Sequence, residues 1–178
     1  NSYIAFKLTD AITQDVSQGY GLHCFDMKKA CWDEEMCELL GIPVDFLPEI
    51  CNCDHVVGTV TAKAAQECGL AEGTPVVAGG LDAACGTLGA GVIHPGETQE
   101  QGGQAGGMSI CMDEYKADPR LILGYHVIPD KWLLQGGTTG GGGVMRWFEH
   151  EFADYERMMK EQTGESSLNQ LNEIAEKV

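Results

Sequence analysis

Basic residues are scarce in this sequence. Eleven Lys and Arg stand against 27 Asp and Glu, a formal net charge of −16. That field repels a phosphate backbone or an acidic membrane face, so neither nucleic acid nor a membrane is expected as a partner. A phosphorylated small molecule stays admissible, because backbone N–H groups and magnesium hold anions without basic side chains. No apolar run approaches the roughly 18 residues that a membrane span needs. The start, Asn1-Ser2-Tyr3, has neither an initiator Met nor a charged-then-apolar leader pattern. The last stretch, Leu168 to Val178, reads as helix. We therefore expect a central part of a longer, cytoplasmic protein. There is no internal repeat and no low-complexity tract, since strands and helices separate the glycine clusters.

Cysteine is not scarce, but its arrangement is uninformative. The eight fall at 24, 31, 37, 51, 53, 68, 85 and 111, several beside Met and Leu on predicted apolar helix faces. Reduced, buried thiols are the expectation. Cys51-Asn52-Cys53-Asp54-His55 invites a zinc reading, but it offers one Cys-x-Cys and one His with no second ligand pair. No metal site is expected there.

What the sequence has in quantity is glycine, 24 residues of 178. Pattern and punctuation predict alternating helices and strands, an α/β chain. Tyr3–Leu8 reads as the end of a helix, Leu22–Met27 as a strand, and Trp32–Leu40 as a helix stopped by Gly41. Thr59 or Thr61 caps a helix over 62–68 that Gly69 closes. Pro75–Ala78 reads as a buried strand, and Gly79-Gly80-Leu81-Asp82 leads from it into a small-residue helix over 83–90. His94-Pro95-Gly96-Glu97 is a turn and a plausible domain boundary. Strands are predicted over 108–112, 121–128 and 131–135, and helices over 144–152 and 155–178 with a break at Thr163-Gly164.

Three places can carry chemistry. Asp82 stands between a strand and a helix, where α/β folds keep their reactive groups. A carboxylate there reads either as a helix cap or as a base accepting a hydroxyl proton during phosphoryl transfer. Gly102–Gly107 reads either as a plain glycine turn or as one whose backbone approaches phosphate oxygens. It is no Walker loop, because no Gly-Lys-Ser/Thr follows, and it does not fit the dinucleotide fingerprint. Gly140–Gly143, opening the helix of Val144-Met145-Arg146-Trp147-Phe148, reads either as a flexible connector or, as we favour, as an anion site whose N–H groups are free.

The ordered series is more specific than any single turn. It runs through Leu8-Thr9, Phe25-Asp26, Trp32-Asp33, Leu40-Gly41-Ile42-Pro43 and Leu47-Pro48. It continues with Gly58-Thr59-Val60-Thr61, Gly69-Leu70, Gly73 through Gly80 with Asp82, Gly89-Ala90-Gly91, Pro95-Gly96 and Arg146-Trp147-Phe148. Across nearly the whole chain it resembles the FGGY carbohydrate kinases, xylulose kinases above all. The resemblance implies an actin-like (RNase H-like) ATPase fold of two domains around a cleft. Residues 1–92 would be the C-terminal part of the first, sugar-binding domain, and 93–178 the N-terminal part of the second, ATP-binding domain.

It further implies ATP-dependent phosphorylation of a sugar hydroxyl, most simply of a ketopentose such as xylulose. Gluconate, ribulose, fuculose and glycerol are alternative acceptors, and a non-catalytic ATP-binding relative is the other class. Asp82 would be the general base and Ala83 would lie beside the sugar. Gly103-Gln104-Ala105-Gly106 holds the place of the family's Gly-Thr-Ser-Gly phosphate turn, without the Thr hydroxyl. Gly142 and Arg146 would lie at the nucleotide. ATP and Mg2+ are the implied cofactors, and a homodimer is the candidate assembly. The family's upstream Asp-x-Gly-Thr motif and its downstream adenosine motif, Gly-Gly-x-x-x-Ser-x-x-Trp, do not occur in these 178 residues.

Overall fold

The computed structural model describes residues 1–177; Val178 lies outside the described residues. Helix α1, Ser2–Thr9, leads into strand β1, Thr13–Asp15, and a 3₁₀ turn over Val16–Gly21. Strands β2, Phe25–Asp26, and β3, Cys31–Trp32, form a hairpin. Helix α2, Glu34–Leu40, starts where the Asp33 carboxylate accepts the Met36 N–H and stops at Gly41 with φ 68°. Strand β4, Glu49–Cys51, pairs in parallel with β1, matching Asp15 to Cys51.

Strand β5, Val56–Thr59, precedes helix α3, Ala62–Cys68, which Thr61 caps through the Ala64 N–H and Gly69 ends. Strand β6, Pro75–Val77, pairs antiparallel with β5 and feeds helix α4, Asp82–Gly89. Strands β7, Thr98–Gly102, β8, Gly106–Met112, β9, Ile122–Tyr125, and β10, Trp132–Thr138, form one sheet in the order β7-β8-β10-β9. Helices α5, Gly142–Phe152, α6, Asp154–Thr163, and α7, Ser167–Ala175, complete the described chain.

Two compact units emerge. One is Asn1–Gln99 with Ser109–Gly136, and the other is Glu100–Met108 with the chain from Gly137 onward. Ala84 of α4, Val92, Cys111 of β8 and Leu133 of β10 form the first unit's core, with Leu81 and Val127 packed against it. The residue before Asp82 is thereby anchored in apolar packing. Beside the core, Phe25, Trp32, Tyr125 and Trp132 stack edge-to-face or tilted, with Tyr125 and Trp132 centroids 4.1 Å apart.

Several sequence expectations need correction. The strand predicted over Leu22–Met27 shrinks to Phe25–Asp26, because the 3₁₀ turn ends only at Gly21 and Leu22 still closes it. Trp32 belongs to β3 rather than to the following helix, since its backbone pairs with Phe25 and Asp33 is the cap. The strand before Asp82 is not buried: Pro75 and Val77 are exposed, because β6 pairs with β5 alone. Four cysteines are buried, at 24, 37, 53 and 111, whereas Cys31, Cys68 and Cys85 are exposed. Cys37, the helical thiol beside Met36, is buried as expected, whereas the exposed Cys68 and Cys85 have only Ala, Gly or Glu as chain neighbours.

Candidate functional site

Asp82 is the first residue of α4, and its side chain is exposed. Leu81 holds the cap position with φ −56° and ψ 137°, and no side chain caps this helix. The cap reading of Asp82 is thus not the arrangement adopted. Among the described residues its Oδ1 accepts only the neighbouring Ala83 N–H, at 2.7 Å. Its second oxygen, Oδ2, has no hydrogen-bond partner among them and is left to accept one. Ala83 is half-buried directly beside it, and its carbonyl accepts the Thr87 hydroxyl at 2.8 Å.

The turn that presents Asp82 is fixed on all sides. The Ala78 N–H donates to the His55 carbonyl at 2.9 Å, and the Gly79 N–H to the Cys53 carbonyl at 3.0 Å. Gly79 has φ 78°, a conformation that costs glycine nothing. At Gly80 a Cβ would stand 2.5 Å from Cγ1 of Val127 and 3.3 Å from the Cys85 sulfur, so only glycine fits between them. The Leu81 N–H donates to the Ser17 hydroxyl at 2.8 Å.

Ser17 in turn belongs to a buried polar group that the sequence did not advertise. Asp15 is 1% exposed and sits at the end of β1. Its Oδ1 accepts the Ser17 N–H at 3.1 Å, the Ser17 hydroxyl, and the Cys53 thiol at 3.7 Å. Its Oδ2 accepts from the amides of Asn1, at 2.6 Å, and Gln18, at 3.0 Å. Burial pushes the Cys53 thiol up to about 11, so it remains a donor at neutral pH. The only sequence signal was the Asp-x-Ser spacing, which any surface turn shares.

A cavity of about 400 Å³ lies in the same unit, lined in part by Val16, Lys28, Asp113, His126 and Trp132. Its buried polar group is already satisfied. His126 meets the Val92 carbonyl through Nε2 at 3.0 Å and accepts the Ile128 N–H on Nδ1 at 3.0 Å. Burial lowers its pKa below the ordinary value of 6.5.

The second unit brings Gly103, Gln104 and Gly142 together. The Gly142 N–H donates to the Gly103 carbonyl at 2.7 Å, and the N–H groups of Gly141 and Gly143 to the Gln104 carbonyl at 2.9 and 3.2 Å. A Cβ on Gly142 would come within 2.6 Å of the Gly103 oxygen. The glycines that open α5 are thus a seat for the β7–β8 turn. Their N–H groups are engaged rather than free, contrary to the expectation of an open anion site at the helix start. Among the described residues the N–H groups of Gln104 and Ala105, at the tip of that turn, have no protein acceptor. Arg146, one turn into α5, is exposed. Around Cys51, Cys53 and His55, the Cys51 thiol donates to the Gln14 carbonyl at 3.7 Å and the Cys53 thiol to Asp15.

Comparison with known proteins bears on both units. Residues 1–89 match the N-terminal domain of the FGGY family of carbohydrate kinases. An autoinducer-2 kinase of Yersinia pestis (strain Pestoides F) is 32% identical over 180 residues, covering 100% of this chain and 34% of that protein. The crystal structure of xylulose kinase from Rhodospirillum rubrum is similar with a TM-score of 0.85 and 28% identity, over 99% of this chain and 35% of that one. Gluconate kinase from Lactobacillus acidophilus follows with a TM-score of 0.76 and 25% identity, over 83% and 30%. The chain therefore spans about a third of the length of the relatives it matches.

Proposed function

Because this chain belongs to the FGGY family of carbohydrate kinases, we propose that it is the central part of an ATP-dependent sugar kinase and carries that enzyme's general base. The observation that carries the reading is the rigid Gly79–Leu81 turn, which offers the exposed Asp82 carboxylate at the start of α4 within the residues that match the family. Asp82 accepts the proton of the attacking sugar hydroxyl as the oxygen–phosphorus bond forms and ADP leaves. Ala83, beside it and without a bulky side chain, leaves room for the sugar. The tip of the Gly103–Gly106 turn, with Gln104, receives ATP phosphates through backbone amides, and Gly142 holds that turn in place. Arg146 supplies positive charge one helical turn on. The family's domain boundary falls, in this reading, near residue 92.

ATP enters as Mg-ATP, in which the ion spreads the charge of the phosphates. Among the described residues no group of three or more His, Cys, Asp or Glu could hold a metal ion. Magnesium would thus be carried by the nucleotide and by residues outside this chain, and no step is derived through it. No helix among the described residues is long and apolar enough to cross a membrane.

The acceptor we favour is a ketopentose such as xylulose, supported by the likeness to xylulose kinase over nearly the whole chain. A second reading takes autoinducer-2 as the acceptor, supported by the 32% identity to the Yersinia kinase. Full-length protein assayed with ATP against xylulose, ribulose, gluconate, glycerol and autoinducer-2 separates them by kcat/KM. In the same protein Asp82→Asn is expected to lower kcat by about 10²–10⁴-fold while ATP affinity is retained. Unchanged turnover would remove Asp82 from the mechanism, and an inactive wild type with intact ATP binding would favour a non-catalytic relative.

A further inference from the structure

The turn before Asp82 is tied to a buried carboxylate that no part of the sugar-kinase reading uses. Asp15 accepts from five groups: the N–H and hydroxyl of Ser17, the Cys53 thiol, and the amides of Asn1 and Gln18. All five are donors, the complement of an acceptor-only carboxylate. Two of the five continue to the Gly79–Leu81 turn. The Ser17 hydroxyl accepts the Leu81 N–H at 2.8 Å while giving its own proton to Asp15. The Asn1 amide bonds Asp15 and also donates to the Ala78 carbonyl at 3.0 Å. The turn is therefore gripped at both ends from one carboxylate, with the Cys53 carbonyl holding Gly79 between them.

Orientation follows from this chemistry. A free serine hydroxyl rotates and offers its lone pairs in any direction. Here its proton is committed to Asp15, so its lone pairs must face the turn. The Leu81 N–H is then held at the one residue that separates the glycine turn from Asp82. Ser17 is 0% exposed and Asp15 1%, so water does not compete for either bond. Tight packing adds to it, since a Cβ on Gly80 would stand only 3.4 Å from the Ser17 oxygen.

We infer that Asp15 and Ser17 are positioning residues that fix the direction of the Asp82 carboxylate through the Leu81 N–H. Neither touches substrate. Both act on turnover by setting where the base points, and a misplacement on the order of 1 Å costs as much as about 10²-fold in rate. This inference rests on Asp82 being the base.

The test is a double-mutant cycle in the full-length enzyme, comparing Ser17→Ala in the wild-type and Asp82→Asn backgrounds. In the wild type, Ser17→Ala is expected to lower kcat by about 10- to 10²-fold, with KM for ATP unchanged. In the Asp82→Asn background the same change is expected to cost less than about 2-fold, because there is no base left to aim. Equal losses in both backgrounds, or no loss in the wild type, would overturn the inference, since a merely structural serine acts alike on both. Should thermal melts show that Ser17→Ala does not fold, Asp15→Asn is read by the same cycle. Its carbonyl oxygen can keep the Ser17 bond while its amide no longer accepts from Asn1 and Gln18, and a smaller but equally non-additive loss is expected. If wild type lacks kinase activity, or Asp82→Asn leaves turnover intact, the functional reading fails and the inference falls with it. If both of those hold and the cycle is additive, the inference alone fails.

Discussion

Single residues in this chain act through what their neighbours leave open. His126 is 1% exposed and neutral by construction of its surroundings. Because the Ile128 N–H points at Nδ1, the ring proton sits on Nε2 and goes to the Val92 carbonyl. Adding a second proton would break the Ile128 bond and strand a charge in the core. Burial is the main cause of its lowered pKa, and nearby Lys131 adds to it, while the Val92 bond works the other way. Between that lowered value and 6.5 the unfolded chain takes up a proton that the folded chain refuses. Stability is therefore full above pH 6.5 and falls as the pH drops through that window. Thermal melts across this range are expected to show the midpoint decreasing toward acid, and His126→Gln is expected to flatten that slope. A wild-type midpoint that rises toward acid would contradict the neutral assignment.

At the scale of elements, the two glycine-rich turns do different work despite similar composition. Gly79-Gly80 lets a strand end approach Val127 and Ser17 closely and then start α4. Gly141–Gly143 instead gives up the first N–H groups of α5 to the carbonyls of a neighbouring turn. The seat is a close backbone contact, so it tolerates no side chain. Gly142→Ala would place a Cβ 2.6 Å from the Gly103 oxygen, a backbone atom that cannot rotate away. Overpacking of this kind typically costs about 1–3 kcal/mol. If the displaced turn is the phosphate contact, ATP affinity should drop by about 10-fold for each 1.4 kcal/mol withheld from binding. Calorimetric titration of full-length Gly142→Ala with ATP checks this, with KM for the sugar unchanged. An unaltered ATP affinity would mean that this turn does not carry nucleotide.

Over the whole molecule, exposed apolar surface is the outstanding feature. In the first unit Tyr3, Ile12, Leu39 and Phe46 are 69%, 70%, 76% and 82% exposed. In the second, Trp147, Phe152 and Tyr155 are 55%, 64% and 63% exposed. Surfaces of this kind seek cover from further chain or from other molecules. Relatives carry about three times this length. The 178 residues expressed alone are therefore expected to self-associate in size-exclusion chromatography with light scattering, and to give no ATP-dependent sugar phosphorylation in a coupled assay. Measurable phosphorylation by the isolated chain would overturn this expectation.

The sequence by itself determined the family resemblance, the alternation of helices and strands, and the helix stops at Gly41, Gly69 and Gly164. Those features are local: a cap, a left-handed glycine or a Gly-Gly-x-Asp turn is written in adjacent residues. It also singled out Asp82 and the glycine clusters over 102–107 and 140–143, since clusters at the ends of strands and helices are visible without coordinates, and within them the family resemblance pointed to Gly103, Gln104 and Gly142. Only the tertiary structure decided what each of them does with its hydrogen bonds. That Leu81 and not Asp82 caps α4, and that the α5 amides are already engaged, depends on groups far apart in the chain. Ser17 reaches Leu81 across 64 positions and Asn1 reaches Ala78 across 77. No pattern of neighbouring residues encodes such a bond, because a buried donor is matched to its acceptor by packing rather than by spacing.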